Sequence, residues 1–537
     1  MRKKTLKKRV LLFWLLIFWI LACVLTFVGL GDLPLRDFDE ATVARVAFEL
    51  SKLKGVDQFL PEIWGLDYLN KPPGVHWLIS KVIYFLHNRL AIRPDLPSEF
   101  QIRFVPALLS TLIVPLGGLI QWSLLPKDRI AIISSSAILL TLLPIIRHGR
   151  LAMLDGPQLS AMALFWLFLI SLDGTRDDKW KWFATGCASS FMLLMKAPLL
   201  LPTIAASLLP MILEFKNKKY LNLKEINWVL LGLMPGLFWH VFNSFQRGSG
   251  ALWLWWGDGA GRVLFYPGAG SELGWRVPFI EMIEGGWPWL VLLPFGFLCA
   301  LRDRKSRWGI WTLSIYGVLC LSIFPLSTQL PWYSHPLWLP MALLCSRPMA
   351  MLVHQLKPKN AFYLNYLVIV PYLWILLGLV LIFVGLLGGL DLWKFFHQYS
   401  LIALFAGLGW FIGGLMLLAK FKTKRLVGLF IVVLGSFASL ICLMTSNFWL
   451  WELNEHWAVP PVAKLVSRTD VTDIALDYDF ERPSLNWYAK RRIKTLRELP
   501  NAKWVITQRP NQFDSLKNRE CKIYDTNNSW TLLSCSP

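Results

Sequence analysis

Apolar stretches about as long as a bilayer is thick recur along most of this 537-residue chain, more of them than a soluble core can absorb. The basic N-terminus MRKKTLKKR is followed by an uninterrupted run from Val10 to Leu30. Further runs lie near 101–124, 129–146, 156–172, 180–195, 197–213, 226–243, 286–301, 308–325, 334–352, 362–388, 400–419 and 426–446. Roughly 20 apolar residues in a helix cross the hydrocarbon layer, so the sequence reads as a polytopic α-helical membrane protein of about thirteen transmembrane helices. The first run is too long for a signal-peptide core and no small-residue cleavage site follows it, so it is expected to stay as a helix.

A fourteenth stretch, 74-GVHWLISKVIYFLHNRL-90, decides the topology. Taken as an interfacial helix, it leaves the basic loops LPKDR, EFKNKKYLNLK, LRDRKSR, HQLKPKN and KFKTKR on the side of the basic N-terminus, as the positive-inside rule requires. Taken as a span, it puts them all outside. The first choice gives a cytoplasmic N-terminus in a bacterial-type inner or plasma membrane. Residues 31–100, 147–155, 244–285 and 326–335, Lys196 and the C-terminus are then extracytoplasmic. The formal net charge of +21 is accounted for by those loops and anionic lipid, so no nucleic-acid partner is implied.

The expected division is a transmembrane domain over 1–446, with interfacial helices in its first outer loop, and a small extracytoplasmic α/β domain over 447–537. In the latter, VTDIALDYDF, KWVITQR, CKIYD and WTLLSC read as strands and SLNWYAKRRIKTL reads as helical. Six of the eight cysteines lie in apolar runs. Cys521 and Cys535 flank a hairpin turned at 526-TNNS-529, where a disulfide and two free thiols both remain open. No Cys/His spacing suggests a metal site.

The unusual polar residues collect on the outer side. Asp37, Asp39 and Glu40 open the first loop, 70-NKPPG-74 follows, 147-RHGRLAMLDG-156 forms the second loop, and 195-MKAP-198 ends a span. Such a set suits transfer of a sugar from a phosphate-bearing lipid. A carboxylate, with Asp39 the first candidate, takes the acceptor's proton. Lys71, Arg150, Lys196 and Arg147 would stabilise the departing phosphate. Asp155 would orient Arg150 or Lys71.

The motifs DFDEATVARVAFEL, YLNKPPGVHWL, QIRFVPALLSTL, GRLAMLDGPQL, LLMKAPLLLP and STQLPWYSHPLWLP, in that order, resemble the aminoarabinose transferase and protein O-mannosyltransferase superfamily of C-type (GT-C) membrane glycosyltransferases. The likeness runs to about residue 345, and LNWYAKR is similar to the outer domain of the aminoarabinose branch. It implies a polyprenyl-phosphate sugar donor and an extracytoplasmic acceptor, a lipid A-like lipid, a glycan or a protein. It also implies Asp39 and Glu40 as catalytic carboxylates, Lys71 and Lys196 as phosphate ligands, and Arg150 and Asp155 as the second-loop pair. Three positions depart from the pattern: Asn70 where an acid is common, Gln329 where lysine is common, and Ala197 where glycine is common. A divalent cation held by the paired carboxylates is a candidate cofactor.

Plainer readings compete. The stripe Val43, Val46, Ala47, Leu50 and Leu53 makes 40–54 an amphipathic helix, and the acids before it then cap it. Lys71 and Lys196 suit ordinary snorkelling lysines. The Trp-rich loop 252–275 fits an aromatic belt as well as a sugar or lipid groove. Arg262, Tyr333 and His335 are further candidates. A transporter or lipid flippase is the alternative function; it calls for midplane charge or broken helices, and midplane charge is nearly absent. A non-catalytic envelope scaffold would leave the converging acids and bases unexplained.

Overall fold

The computed structural model describes residues 2–89, 95–172, 178–217, 225–261, 264–265, 273–355, 366–390, 394–449, 459–467, 473–508, 519–527 and 530–536. Two compact units are present: Met1–Gly29 with Leu69–Val75 and Phe104–Trp449, and Leu30–Tyr68 with His76–Arg103 and Leu450–Pro537.

The first unit is helical. Helices of seven or more residues, numbered together with those of the other unit, are α1 (Arg2–Phe27), α2 (Asp39–Leu50), α3 (Gly74–Arg89), α4 (Glu99–Thr111), α5 (Ile113–Leu124), α6 (Arg129–Thr141), α7 (Leu143–Gly149), α8 (Asp155–Ile170), α9 (Asp178–Lys196) and α10 (Leu200–Asn217). They continue with α11 (Ile226–Arg247), α12 (Val277–Gly285), α13 (Leu293–Arg302), α14 (Arg307–Ile323), α15 (Trp338–His354), α16 (Ile369–Gly389), α17 (Ser400–Leu417), α18 (Lys422–Met444) and α19 (Val459–Ser467). Among the described residues, 8 segments are long and apolar enough to cross a membrane, or 10 if each of two bent pairs is one span. Shorter apolar helices lie at Gly74–Leu86, Asp155–Ile170 and Arg307–Ile323.

The two bends have local causes. Between α6 and α7 the axis turns by 55°. Leu142 there is extended and Pro144 opens α7, since proline has no N–H to continue the ladder. The 107° bend before Trp289–Arg302 follows the sequence Gly285-Gly286-Trp287-Pro288.

With apolar lipid outside, membrane helices associate by close packing, which favours small residues at their contacts. Gly186 of α9 lies against Val229 and Gly232 of α11, and Gly236 donates its N–H to Ser190 Oγ at 2.7 Å. A Cβ on Gly232 would sit 2.3 Å from the Phe183 carbonyl. Gly378 against Gly407, and Gly409 against Gly435, join α16, α17 and α18 in the same way. Cations at helix ends tie neighbours together: Arg347 pairs with Asp128 at 2.5 Å, Arg307 with Glu214 at 2.6 Å, and Arg425 donates to the Val353, Ala419 and Lys420 carbonyls.

The second unit groups most of the first loop, Leu30–Tyr68 and His76–Arg103, with the C-terminal segment from Leu450. Its sheet has the order β4-β3-β5-β7-β6, with β3 (Ile474–Leu476) parallel to β4 (Lys494–Thr495) and β5 (Trp504–Thr507). Strand β7 (Trp530–Cys535) runs antiparallel to β5 and to β6 (Cys521–Asn527). A separate ribbon pairs β1 (Glu62–Ile63) with β2 (Leu66–Asp67). Val462, Leu465, Val466, Leu476, Leu485, Ile506 and Leu532 form the sheet's core on the α19 side. Cys521 and Cys535 are directly opposed in the β6–β7 register and joined by a disulfide. Of the expected turn 526–529, residues 528 and 529 lie outside the described residues.

Two expectations on this unit need correcting. The stretch SLNWYAKRRIKTL is helical only over Pro483–Tyr488, designated α20; Lys490 takes a φ of 59° and the chain then pairs as β4. Helix α2 ends at Leu50, and Glu40, Ala41, Val43, Ala44, Val46, Ala47, Phe48 and Leu50 are all buried. It packs within protein, with Val46 and Leu50 on Tyr68 and Phe48 edge-on to Trp487. No single stripe is left to lie on lipid.

Candidate active site

A cavity of about 410 Å³ opens in the helical unit, within the range of small-ligand sites. Three chain segments far apart in sequence bring its lysines, its carboxylate and its two side-chain amides. Asn70 and Lys71 come from the segment before α3, Asp155 and Gln158 from the first turn of α8, and Lys196 from the last residue of α9. Asp155 and Lys196 form an ion pair of 2.5 Å. Each suits its helix end: a carboxylate at an N-terminus and an ammonium at a C-terminus both oppose the macrodipole.

Gly74 explains how Lys71 reaches the same cavity. A Cβ at Gly74 would sit 2.6 Å from the Leu194 carbonyl, so only glycine lets the NKPPG segment close on the end of α9. The 3-10 turn Pro331–Leu337 supplies Trp332, Tyr333 and His335. The Tyr333 ring lies 5.5 Å from Lys196 Nζ, and His335 Nε2 meets His148 Nδ1 at 2.8 Å. Met162, Leu199, Ile323 and Leu326 make the apolar walls, and Leu254, Trp255 and Leu264 bring the Trp-rich segment to the rim. Two lysines beside one carboxylate at the end of an apolar chamber suit a ligand with an anionic head and an apolar tail.

Residues 73–246 match the dolichyl-phosphate-mannose-protein mannosyltransferase family. The undecaprenyl phosphate-alpha-4-amino-4-deoxy-L-arabinose arabinosyl transferase 2 of Pseudomonas fluorescens is 28% identical over 393 residues, 70% of this chain and 66% of that protein. The corresponding transferase of Erwinia tasmaniensis is 26% identical over 318 residues, 57% of this chain and 54% of that one. The chain thus spans less than two thirds of the length of these curated relatives. The crystal structure of ArnT from Cupriavidus metallidurans in the apo state superposes with a TM-score of 0.69 at 15% identity, covering 97% of both chains. The same protein bound to undecaprenyl phosphate gives 0.67 at 16% identity. The chain has the C-type membrane glycosyltransferase fold, in a form like that of the aminoarabinose transferases.

Arg147 and Arg150 are not among the residues that line this cavity. Arg150 is fully buried, donates to the carbonyls of Val28 (2.6 Å) and Leu25 (3.4 Å), and lies 4.4 Å from the Trp449 ring. It ties helix ends and does not line the cavity. Arg147 is also buried, 3.6 Å from Glu284. Asp155 pairs with Lys196, not with Arg150 or Lys71. Gln329 donates from Nε2 to the carbonyls of Ile323, Phe324 and Leu326, satisfying the C-terminal end of α14. Arg262 lies outside the described residues.

Residues 37–40 belong to the other unit. Glu40 is fully buried and bidentate with Arg103, at 2.8 Å and 2.7 Å, and also accepts the Arg36 N–H. Asp37 does not cap α2: its Oδ1 accepts from Phe38 N and Ser484 N, and its Oδ2 forms an ion pair with Arg482. Asp39 is half-buried as the first residue of α2. Nearby, Tyr488 donates to Glu99 at 2.8 Å and accepts from Leu35 N at 2.7 Å. Burial, and then the Glu99 carboxylate, hold its phenol protonated above the ordinary range.

The donor set does not favour a cation at these acids. Among the described residues no group of three or more His, Cys, Asp or Glu side chains converges. Asp37 and Glu40, the partners that Asp39 would need, are engaged by Arg482 and Arg103. Gln158 escaped the sequence reading although it lies three residues, one helical turn, beyond Asp155 and so on the same face. The His148–His335 contact, across 187 residues, has no sequence signal.

Proposed function

We propose that the chain is an integral membrane glycosyltransferase that moves a sugar from a polyprenyl-phosphate donor to an extracytoplasmic acceptor. The observation that carries this reading is the convergence of Lys71 and Lys196 on one apolar-walled cavity. Two ammonium groups in a water-poor chamber stabilise the charge that grows on a departing phosphate, and the walls accept the lipid tail. Met162, Leu199 and Ile323 supply that apolar surface. Asp155 holds the Lys196 ammonium in place. Asp39 removes the proton of the acceptor hydroxyl as general base. The names of the curated relatives favour undecaprenyl phosphate as the lipid and an amino sugar as the group transferred. The acceptor is a lipid A-like lipid, a glycan or a protein.

Replacing Asp39 by Asn abolishes transfer while the protein still inserts. Mass spectrometry of envelope lipids, glycans and proteins from a deletion strain carrying either wild type or Asp39→Asn reveals the product as the species present only with wild type. Identical profiles with abundant protein of both kinds remove Asp39 as base.

The orientation follows from the basic loops: N-terminus cytoplasmic, residues 31–100 and the C-terminal domain outside. A reporter fused after residue 92 reads the outer side; a cytoplasmic signal overturns this topology and with it the extracytoplasmic acceptor.

A further inference from the structure

The turn that leads into Asp39 is held in a conformation that phenylalanine does not adopt unaided. Phe38 has φ 54° and ψ −74°, and Asp39 N donates to Asp37 O at 2.7 Å across it. This is a γ-turn of the rare positive-φ kind, which is strained for any residue with a side chain. Phe38 gains little by burial, being 42% exposed. Strain of this type persists only where the surroundings over-determine it.

The surroundings come from the C-terminal segment of the same unit. Asp37 Oδ1 accepts from the Ser484 N–H at 2.9 Å, a donor in the first turn of α20 that has no partner inside that helix. Asp37 Oδ2 is ion-paired with Arg482 Nε. Arg482 is buried to 6% exposure, and its guanidinium lies 5.4 Å from the Phe38 ring and 4.8 Å from the Tyr478 ring. One arginine thus contacts both the residue before the strained position and the strained residue itself. Sheet and turn are linked directly, since Tyr478 follows β3 by two residues.

We infer that Arg482 is a positioning residue: through Asp37 and Phe38 it holds the strained turn that aims the Asp39 carboxylate. The inference rests on the reading of Asp39 as general base. Without Arg482, Phe38 relaxes toward negative φ and the first residue of α2 rotates with it. Misplacement of a catalytic group by about 1 Å costs on the order of 100-fold in rate.

The test uses the full chain in the deletion strain, with the product defined as the species lost in Asp39→Asn. Arg482→Gln lowers that product at least tenfold at equal membrane abundance, and Arg482→Lys, which keeps the charge, retains an intermediate level. Adding Phe38→Gly to Arg482→Gln restores the product to within about threefold of wild type, because glycine takes positive φ without strain. An Arg482 that served only to hold the fold would gain nothing from that second change. Should Arg482→Gln fail to accumulate, the isosteric Asp37→Asn replaces it, alone and with Phe38→Gly. Wild-type product in the single variant, or no recovery in the double variant, overturns the inference while Asp39→Asn remains inactive. An active Asp39→Asn overturns instead the reading on which it rests.

Discussion

Two acid–base pairs with the same chemistry have opposite roles in the two units. Glu40 and Arg103 have side chains with no exposure. All five N–H donors of Arg103 are used, two on Glu40 and three on the carbonyls of Leu30, Leu33 and Pro34. Asp155 and Lys196 are 7% and 18% exposed, and that exposure is to a cavity. Lys196 meets the Asp155 carboxylate and the Tyr333 ring and lines the cavity, so its charge can act on a ligand. A fully used guanidinium holds structure, whereas an ammonium that lines a cavity can do chemistry.

The largest effect that this contrast predicts is on stability, at the closed pair. Arg103→Met leaves a buried carboxylate and three carbonyls without their partner, and removing one member of a buried pair destabilises by about 3–5 kcal/mol. Purified in detergent, the variant should melt far below wild type or fail to accumulate. A melting curve close to wild type would mean that Glu40 is not held as a buried ion, and would reopen it as a helper of Asp39.

What the sequence made legible follows the same division. Apolar runs were readable because bilayer thickness sets helix length, and among the described residues each of them overlaps at least one helix. Lys71, Asp155 and Lys196, which line one cavity, stand beside Pro and Gly, where a helix must start or stop. Arg150 has the same local appearance, yet its partners are backbone carbonyls 122 and 125 residues away. A sequence names a side chain's type, and not the carbonyls that will surround it. Asp37 likewise has the composition of a helix cap, and residues 445 and 447 positions later, Arg482 and Ser484, divert it. The stretch 484–496 reads as helical, whereas its helix stops at Tyr488 and Lys494–Thr495 pair with β3, tertiary pairing outweighing propensity.

A smaller effect, on binding in place of folding, is expected at the open pair. Lys196→Met removes one of the two cavity lysines, and its ion pair is partly open to the cavity, so the abandoned Asp155 carboxylate keeps access to water. The cost in stability should therefore stay near 1 kcal/mol, well under that of the closed pair. Charge-assisted contacts to an anion are worth about 1.5–3 kcal/mol each, which corresponds to roughly a 10- to 100-fold loss of affinity. Undecaprenyl phosphate is a suitable probe, titrated against the purified full chain and followed by the rise in melting temperature that a ligand of the folded state produces. The double variant Lys196→Met/Asp155→Asn separates the two contributions: it should regain whatever stability the single variant lost, because no unpaired carboxylate remains, and should bind the probe no better than the single variant beyond the relief of one negative charge. If the double variant recovers wild-type affinity, Lys196 acts only by neutralising Asp155, and phosphate binding passes to Lys71 alone. If the single variant melts as low as Arg103→Met, the pair is as closed as the other and the contrast between the two units is lost.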